Sequence, residues 1–263
     1  MPSTVRPPAV AGTFYPADPA RLEADVRGYL ATAQPVDVDF RTRILIVPHA
    51  GYVYSGPVAA TGYQLIEAME NIRRIVMFGP SHFVWFTGLA LPDADLLETP
   101  LGTVAVETDA VARLRSNPLV TTSAEAHERE HSLEVQLPFL QVVAAGIPVV
   151  PLLTGDVHPV GAADAIESIL DDETLLLVSS DLSHYHDSDT ARRLDAETAA
   201  SIERLDPGAL SRESACGRTG VQAALYVARR CGYRVQPLDL RNSSDTAGPP
   251  DRVVGYGTFA IGS

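Results

Sequence analysis

The chain has 263 residues, 46% of them hydrophobic, and a formal net charge of −13. That charge argues against nucleic acid and against an anionic membrane surface, because both call for a basic face. No apolar run reaches the roughly 18 residues of a membrane span, and residues 1–8 lack the apolar core of a signal peptide, so the expectation is a cytoplasmic protein. The two cysteines, Cys216 and Cys231, do not make a disulfide framework.

In chain order, apolar periodicity predicts a strand over 43–48, a helix over 57–69 opened by Pro57, and a strand over 74–79. Helices follow over 108–116 and 132–145, then a strand over 148–153, a helix over 159–170 and a strand over 174–180. Helices over 189–204 and 219–231 precede two strands, 233–240 and 253–261, separated by a Ser-, Asp-, Gly- and Pro-rich stretch, 241–250, that reads as a mobile loop. Strands that are continuous apolar runs are buried on both faces. Their alternation with helices predicts an α/β protein with a central, mostly parallel or mixed sheet flanked by helices, residues 1–263 forming one domain.

Three of these strands stop at the same kind of residue. His49 follows the first in "IVPHAGYVYSG", His82 follows the second in "GPSH", and "SSDLSHYH" places Asp181, His184 and His186 after the fourth. Open α/β sheets bind ligands at the carboxyl ends of their strands, and imidazoles converging there with carboxylates make metal or acid/base sites. One such histidine is unremarkable, whereas three strands ending this way point to a site.

Two other segments are candidates. In "EREHSLEVQLPFL", His131 and Glu134 lie three apart and on a helix would share a face and could reach one ion, although Ser132 also reads as an N-cap with glutamates favouring the helix start. His127 reads as a solvated loop residue and His158 as structural. In "SACGRTG", Cys216 sits near a helix N-terminus and Arg218, where a thiol would be acidified for ligation or nucleophilic attack, while Cys231 reads as a packing residue. Tyr52, Tyr54, Phe83, Trp85, Phe86 and Tyr185 read as core or as pocket wall.

Taken together, "PHAGYVYSG", "GPSH", "EHSLEVQLPFL", "SSDLSHY" and "CGRTG", in that order, resemble the Memo family, whose bacterial and archaeal members are also called AmmeMemoRadiSam system protein B. "RPPAVAGTFYPADPARL" and "GYGTFAIGS" extend the resemblance over nearly the whole chain. The family is similar in fold to the class III extradiol, LigB-type non-haem iron dioxygenases. The resemblance implies that His49, His82 and Cys216 bind a metal, iron or else copper or zinc. It implies also that Asp181 and His184 form the neighbouring polar pair and that a radical-SAM protein is a partner. His131, Glu134 and His186 are expected in a second layer around that set. A thiol in place of the dioxygenases' carboxylate softens the donor set and exposes an oxidisable group, which sets the expected chemistry apart from ring cleavage.

The leading expectation is therefore a metal-dependent redox enzyme acting on a small molecule, with Asp181 and His184 in acid/base roles and Cys216 among the catalytic groups. A second expectation is a binding or adaptor module whose vestigial pocket grips a peptide or small molecule. A third is a hydrolase using Cys216 with His49 or His184 and Asp181.

Overall fold

A computed structural model describes residues 3–263. Nine strands form one mixed sheet. At its centre Thr42–Val47, Thr174–Ser179, Arg74–Pro80 and Val149–Thr154 run parallel to one another in that spatial order. Val253–Gly262 joins antiparallel beside Thr42–Val47 and also carries Arg234–Asn242 and the short His184–His186. On the far side, Leu89–Leu91 pairs antiparallel with Val149–Thr154 and parallel with Val120–Thr122. A separate small sheet joins Val5–Arg6, Leu96–Thr99 and Gly102–Ala105.

The apolar runs are strands because both faces of the sheet are covered. Successive side chains alternate between faces: Leu45, Val47, Ile75, Met77, Leu175 and Leu177 enter one core, and Ile44, Ile46, Val76, Phe78, Leu176 and Val178 the other. The first core is closed by helices Pro19–Thr32, Tyr52–Glu67 and Leu137–Val143, where Phe139 stacks on Tyr63 with centroids 4.6 Å apart. The second is closed largely by Pro159–Glu167 and Arg218–Cys231. The predicted α/β class, with helices flanking a mixed central sheet, is what the chain adopts.

Several local expectations are corrected. The helix expected to open at Pro57 begins at Tyr52, with Pro57 inside it and Gly51 at its N-cap. The segment expected as one helix over 132–145 is a turn, a 3₁₀ turn at Glu134–Gln136 and a short helix, Leu137–Val143. Ser132 is no N-cap, because its hydroxyl donates to the Pro80 carbonyl at 2.8 Å. The stretch 241–250 is tied down: the Ser243 carbonyl accepts from the backbone N–H groups of Thr246, Ala247 and Gly248, and Asn242 forms a capping box with Asp245. Cys231 is exposed. No helix among the described residues is long and apolar enough to cross a membrane.

Candidate metal centre

The parallel strands all end on one side of the sheet, and the site is built there from their extensions. Past Val47, the His49 N–H donates to Asp181 Oδ1 at 2.7 Å, and the Ser180 N–H donates to the Val47 carbonyl at 2.8 Å, locking two neighbouring strand ends together. His49 is buried, and its Nδ1 lies 2.9 Å from Ser179 Oγ. The single proton of Ser179 goes to the Ser132 carbonyl at 2.6 Å, while its oxygen also accepts from Gln136 Nε2 at 2.7 Å. His49 Nδ1 must then be the donor to Ser179, so the ring carries its proton on Nδ1 and an open lone pair on Nε2.

His82 is assigned the same way. Its Nδ1 meets Glu130 Oε1 at 2.9 Å, and Glu130 Oε2 accepts from the His82 N–H at 2.5 Å. Burial pushes the Glu130 carboxyl up, but the hydrogen bonds from His82 and Ser132 outweigh it and hold the group at about 2. A carboxylate accepts only, so His82 also keeps its proton on Nδ1 and presents Nε2.

His131 completes the group. Ligand atoms of His49, His82 and His131 lie within 4.8 Å of one another, and ring centroids are 4.7 Å apart for His82–His131, 5.2 Å for His49–His82 and 5.6 Å for His49–His131. Three imidazole nitrogens at this spacing would hold one metal ion between them. The approach depends on Gly79, where a Cβ would sit 2.8 Å from Leu133 Cδ2 and 3.0 Å from Ser132 Oγ; a side chain there would push away the loop that carries His131. Burial lowers His49 to about 3 and His131 to about 4, with neighbouring histidines adding to the effect, so both rings stay neutral and able to ligate.

The residues fit a metal ion on an observation independent of their spacing. His131 Nδ1 is buried and makes no hydrogen bond among the described residues, with Glu130 Oε1 3.4 Å away and the other imidazoles around it. The sequence leaves His131 between direct ligation and a place around the metal set; the structure places it within the three-histidine group.

Cys216 stands just outside that group. Its Sγ is 3.2 Å from His49 Nε2 and accepts from the Asp181 N–H at 3.3 Å. The expectation of an acidified thiol is corrected, because burial and then the nearby Asp181 carboxyl push the thiol well up, and the Asp181, Ser180 and Gly217 hydrogen bonds do not reverse this. Cys216 thus meets the metal set through His49 as a protonated thiol.

A cavity of about 480 Å³ opens over the three imidazoles, walled among others by Phe14, Tyr54, Asp181, His184, Tyr185 and Tyr256. His184 Nδ1 lies 2.8 Å from the Leu182 carbonyl, which only accepts, so Nδ1 is the donor and the neutral tautomer of this ring has its lone pair on Nε2. Asp181 is not hydrogen-bonded to His184; its carboxyl is committed to the His49 backbone, and burial raises it. His186 pairs with Val253 in the sheet and does not line the cavity.

Glu134 is not at the site and shares no ion with His131. It is buried, ion-paired with Arg6, and accepts from the Ala9 N–H (2.8 Å), the Val10 N–H (3.0 Å) and the Tyr15 hydroxyl (2.6 Å). This anchors the segment before the first helix, and that segment lays Phe14 on His131 with ring centroids 4.6 Å apart. His127, expected in solvent, is buried with Nε2 donating to the Ala90 carbonyl at 2.9 Å. Of the aromatics, Tyr52 is core, Tyr54 and Tyr185 wall the cavity, and Phe83 and Trp85 are exposed. Glu130, read only as favouring a helix start, and Ser179 have no site role in the sequence reading; their signals are a place immediately before His131 and at the end of a strand.

A family model described as "Memo-like protein" matches residues 6–260. A MEMO1 family protein of Saccharolobus solfataricus is 32% identical over 287 aligned positions, covering 98% of this chain and 99% of its own. A MEMO1 family protein of Thermoplasma volcanium is 32% identical over 265 positions, covering 97% of each. The crystal structure of an uncharacterized protein from Escherichia coli K12 superposes with a TM-score of 0.54 at 15% identity, over 82% of this chain and 99% of that one. At that identity the likeness concerns the fold alone.

Proposed function

Because the chain belongs to the Memo family and gathers three imidazoles beneath an open cavity, we propose that it is a metal-dependent redox enzyme acting on a small molecule. The observation that carries this reading is the convergence of His49, His82 and His131, two of them held through Nδ1 by partners behind the site, with the Cys216 thiol beside His49 Nε2. These three would hold the ion, leaving its remaining positions toward the cavity. Iron or copper bound there would supply electron transfer and Lewis acidity, and zinc the latter alone.

The chain's own residues supply the rest. Glu130 and Ser179 fix the ring orientations from behind, which keeps the donor set rigid. His184, on the cavity wall with Nε2 free, accepts a proton from a substrate hydroxyl. Asp181 holds the His49 backbone rather than relaying protons. Cys216, a thiol 3.2 Å from His49 Nε2, would supply a soft sulfur donor beside the three imidazoles on losing its proton. The hydrolase reading is the weaker one, since the His49 ring is oriented by a serine and the thiol is kept protonated.

The test is turnover. Protein grown in iron- or copper-replete medium should carry close to one metal per chain and consume O₂ with some member of a panel of small phenols. His184→Gln should keep the metal and lose roughly 100-fold or more in rate. A metal-free wild type, or a small-molecule ligand bound equally well after metal and Cys216 are both removed, would turn the reading to a binding module.

A further inference from the structure

The mouth of the cavity carries two features that the metal centre does not explain. The first is Tyr185. His184 pairs with Val254 and His186 with Val253, so Tyr185 is an extra residue between two consecutive partners, a bulge. Bulges near active sites re-aim a side chain, and this one has a φ of +65°, a left-handed conformation that costs a non-glycine residue about 1 kcal/mol or more. The strain supports a large aromatic ring that is 64% exposed and lines the cavity, burying little in return.

The second is Arg252. Its guanidinium lies 4.5 Å over the face of the Tyr185 ring and is part of the same cavity wall. It is exposed and, among the described residues, makes no ion pair and no hydrogen bond, although the chain carries a net charge of −13. Among the described residues no other arginine or lysine lines this cavity, and the only carboxylate on its wall is the buried Asp181. A guanidinium lying over an aromatic face and making no hydrogen bond has its N–H groups free for a planar anion.

We infer that Tyr185 and Arg252 form a recognition clamp selecting a planar substrate that bears a carboxylate: the ring of the substrate lies along the Tyr185 wall and the carboxylate takes the free edge of Arg252. The inference rests on the reading of the cavity as a substrate site. About 480 Å³ accommodates a single-ring acid with a short side chain.

The test uses 4-hydroxybenzoate and its neutral isostere 4-hydroxybenzamide, titrated calorimetrically into metal-loaded and chelator-stripped full-length protein. The acid should bind roughly tenfold more tightly than the amide in both states, the usual worth of a charge-assisted contact. Arg252→Gln should bring that ratio to about one, Arg252→Lys should restore part of it, and Tyr185→Leu should weaken both probes alike. Arg252 is exposed and makes no hydrogen bond, so its replacement does not threaten the fold. Equal affinities in wild type, a preference that survives Arg252→Gln, a preference that vanishes with the metal, or no binding of either probe at millimolar concentration would each overturn the clamp. Metal content is read on the same samples: a chain that binds no metal yet keeps the acid preference contradicts the metal-enzyme reading and leaves the clamp standing.

Discussion

Glu130 grips His82 at both ends, its Oε2 accepting from the backbone N–H at 2.5 Å and its Oε1 from Nδ1 at 2.9 Å. The same Oε1 accepts from the backbone N–H groups of His131 at 2.9 Å and Ser132 at 2.8 Å. One buried carboxylate thus sets the position of two of the three imidazoles, and every partner it has is a donor.

Glu130→Gln is therefore not conservative, because an amide must turn its NH₂ toward a donor. Metal affinity should fall by roughly 10- to 100-fold, the typical effect of removing the group behind a metal-bound histidine. Competition against a chelator of known affinity measures this; an unchanged affinity would show that Glu130 does not orient the site.

Glu134 is the second buried carboxylate, with a structural task. Glu134→Gln keeps the shape but leaves the nearly buried Arg6 guanidinium without its counter-charge. The expected loss is about 3 kcal/mol of stability in denaturant unfolding, the low end for breaking a buried pair from one side. A loss under about 1 kcal/mol, the range of surface pairs, would mean that water reaches Arg6.

His127 gives the stability a pH dependence that does not involve the metal. Burial lowers its pKa from 6.5 to about 4, so between those values the unfolded chain binds a proton that the folded chain refuses. Stability contributed by the neutral ring is complete above pH 6.5 and is lost as pH falls toward 4, by roughly 3 kcal/mol at most. His127→Gln, which keeps a donor for the Ala90 carbonyl, should flatten the unfolding free energy across that window. An identical pH profile in the variant would contradict the assignment.

How much of this was legible in the sequence follows from which contacts are local. The central strands read clearly because strands covered on both faces are continuous apolar runs, and His49, His82, Asp181 and His184 read clearly because they end such runs. His131 did not, because its position is set by Gly79 and Glu130 across a loop that the sequence presents as the start of a helix. Cys216 was read from its helix N-terminus and Arg218, whereas its state follows from burial beside Asp181. His127 sits among charged neighbours and reads as solvated, yet it points inward to the Ala90 carbonyl. The helix Pro19–Thr32 buries only Leu22, Val26 and Leu30, a stripe one residue wide that periodicity does not announce.

The most direct test of the account is the metal content, by elemental analysis, of wild type, His131→Ala and Cys216→Ala prepared side by side without oxygen. The account predicts close to one iron or copper per chain in wild type, retention of most of it in Cys216→Ala, and its loss in His131→Ala. Full metal in His131→Ala, with loss in Cys216→Ala, would contradict the three-histidine centre and put the thiol in its place.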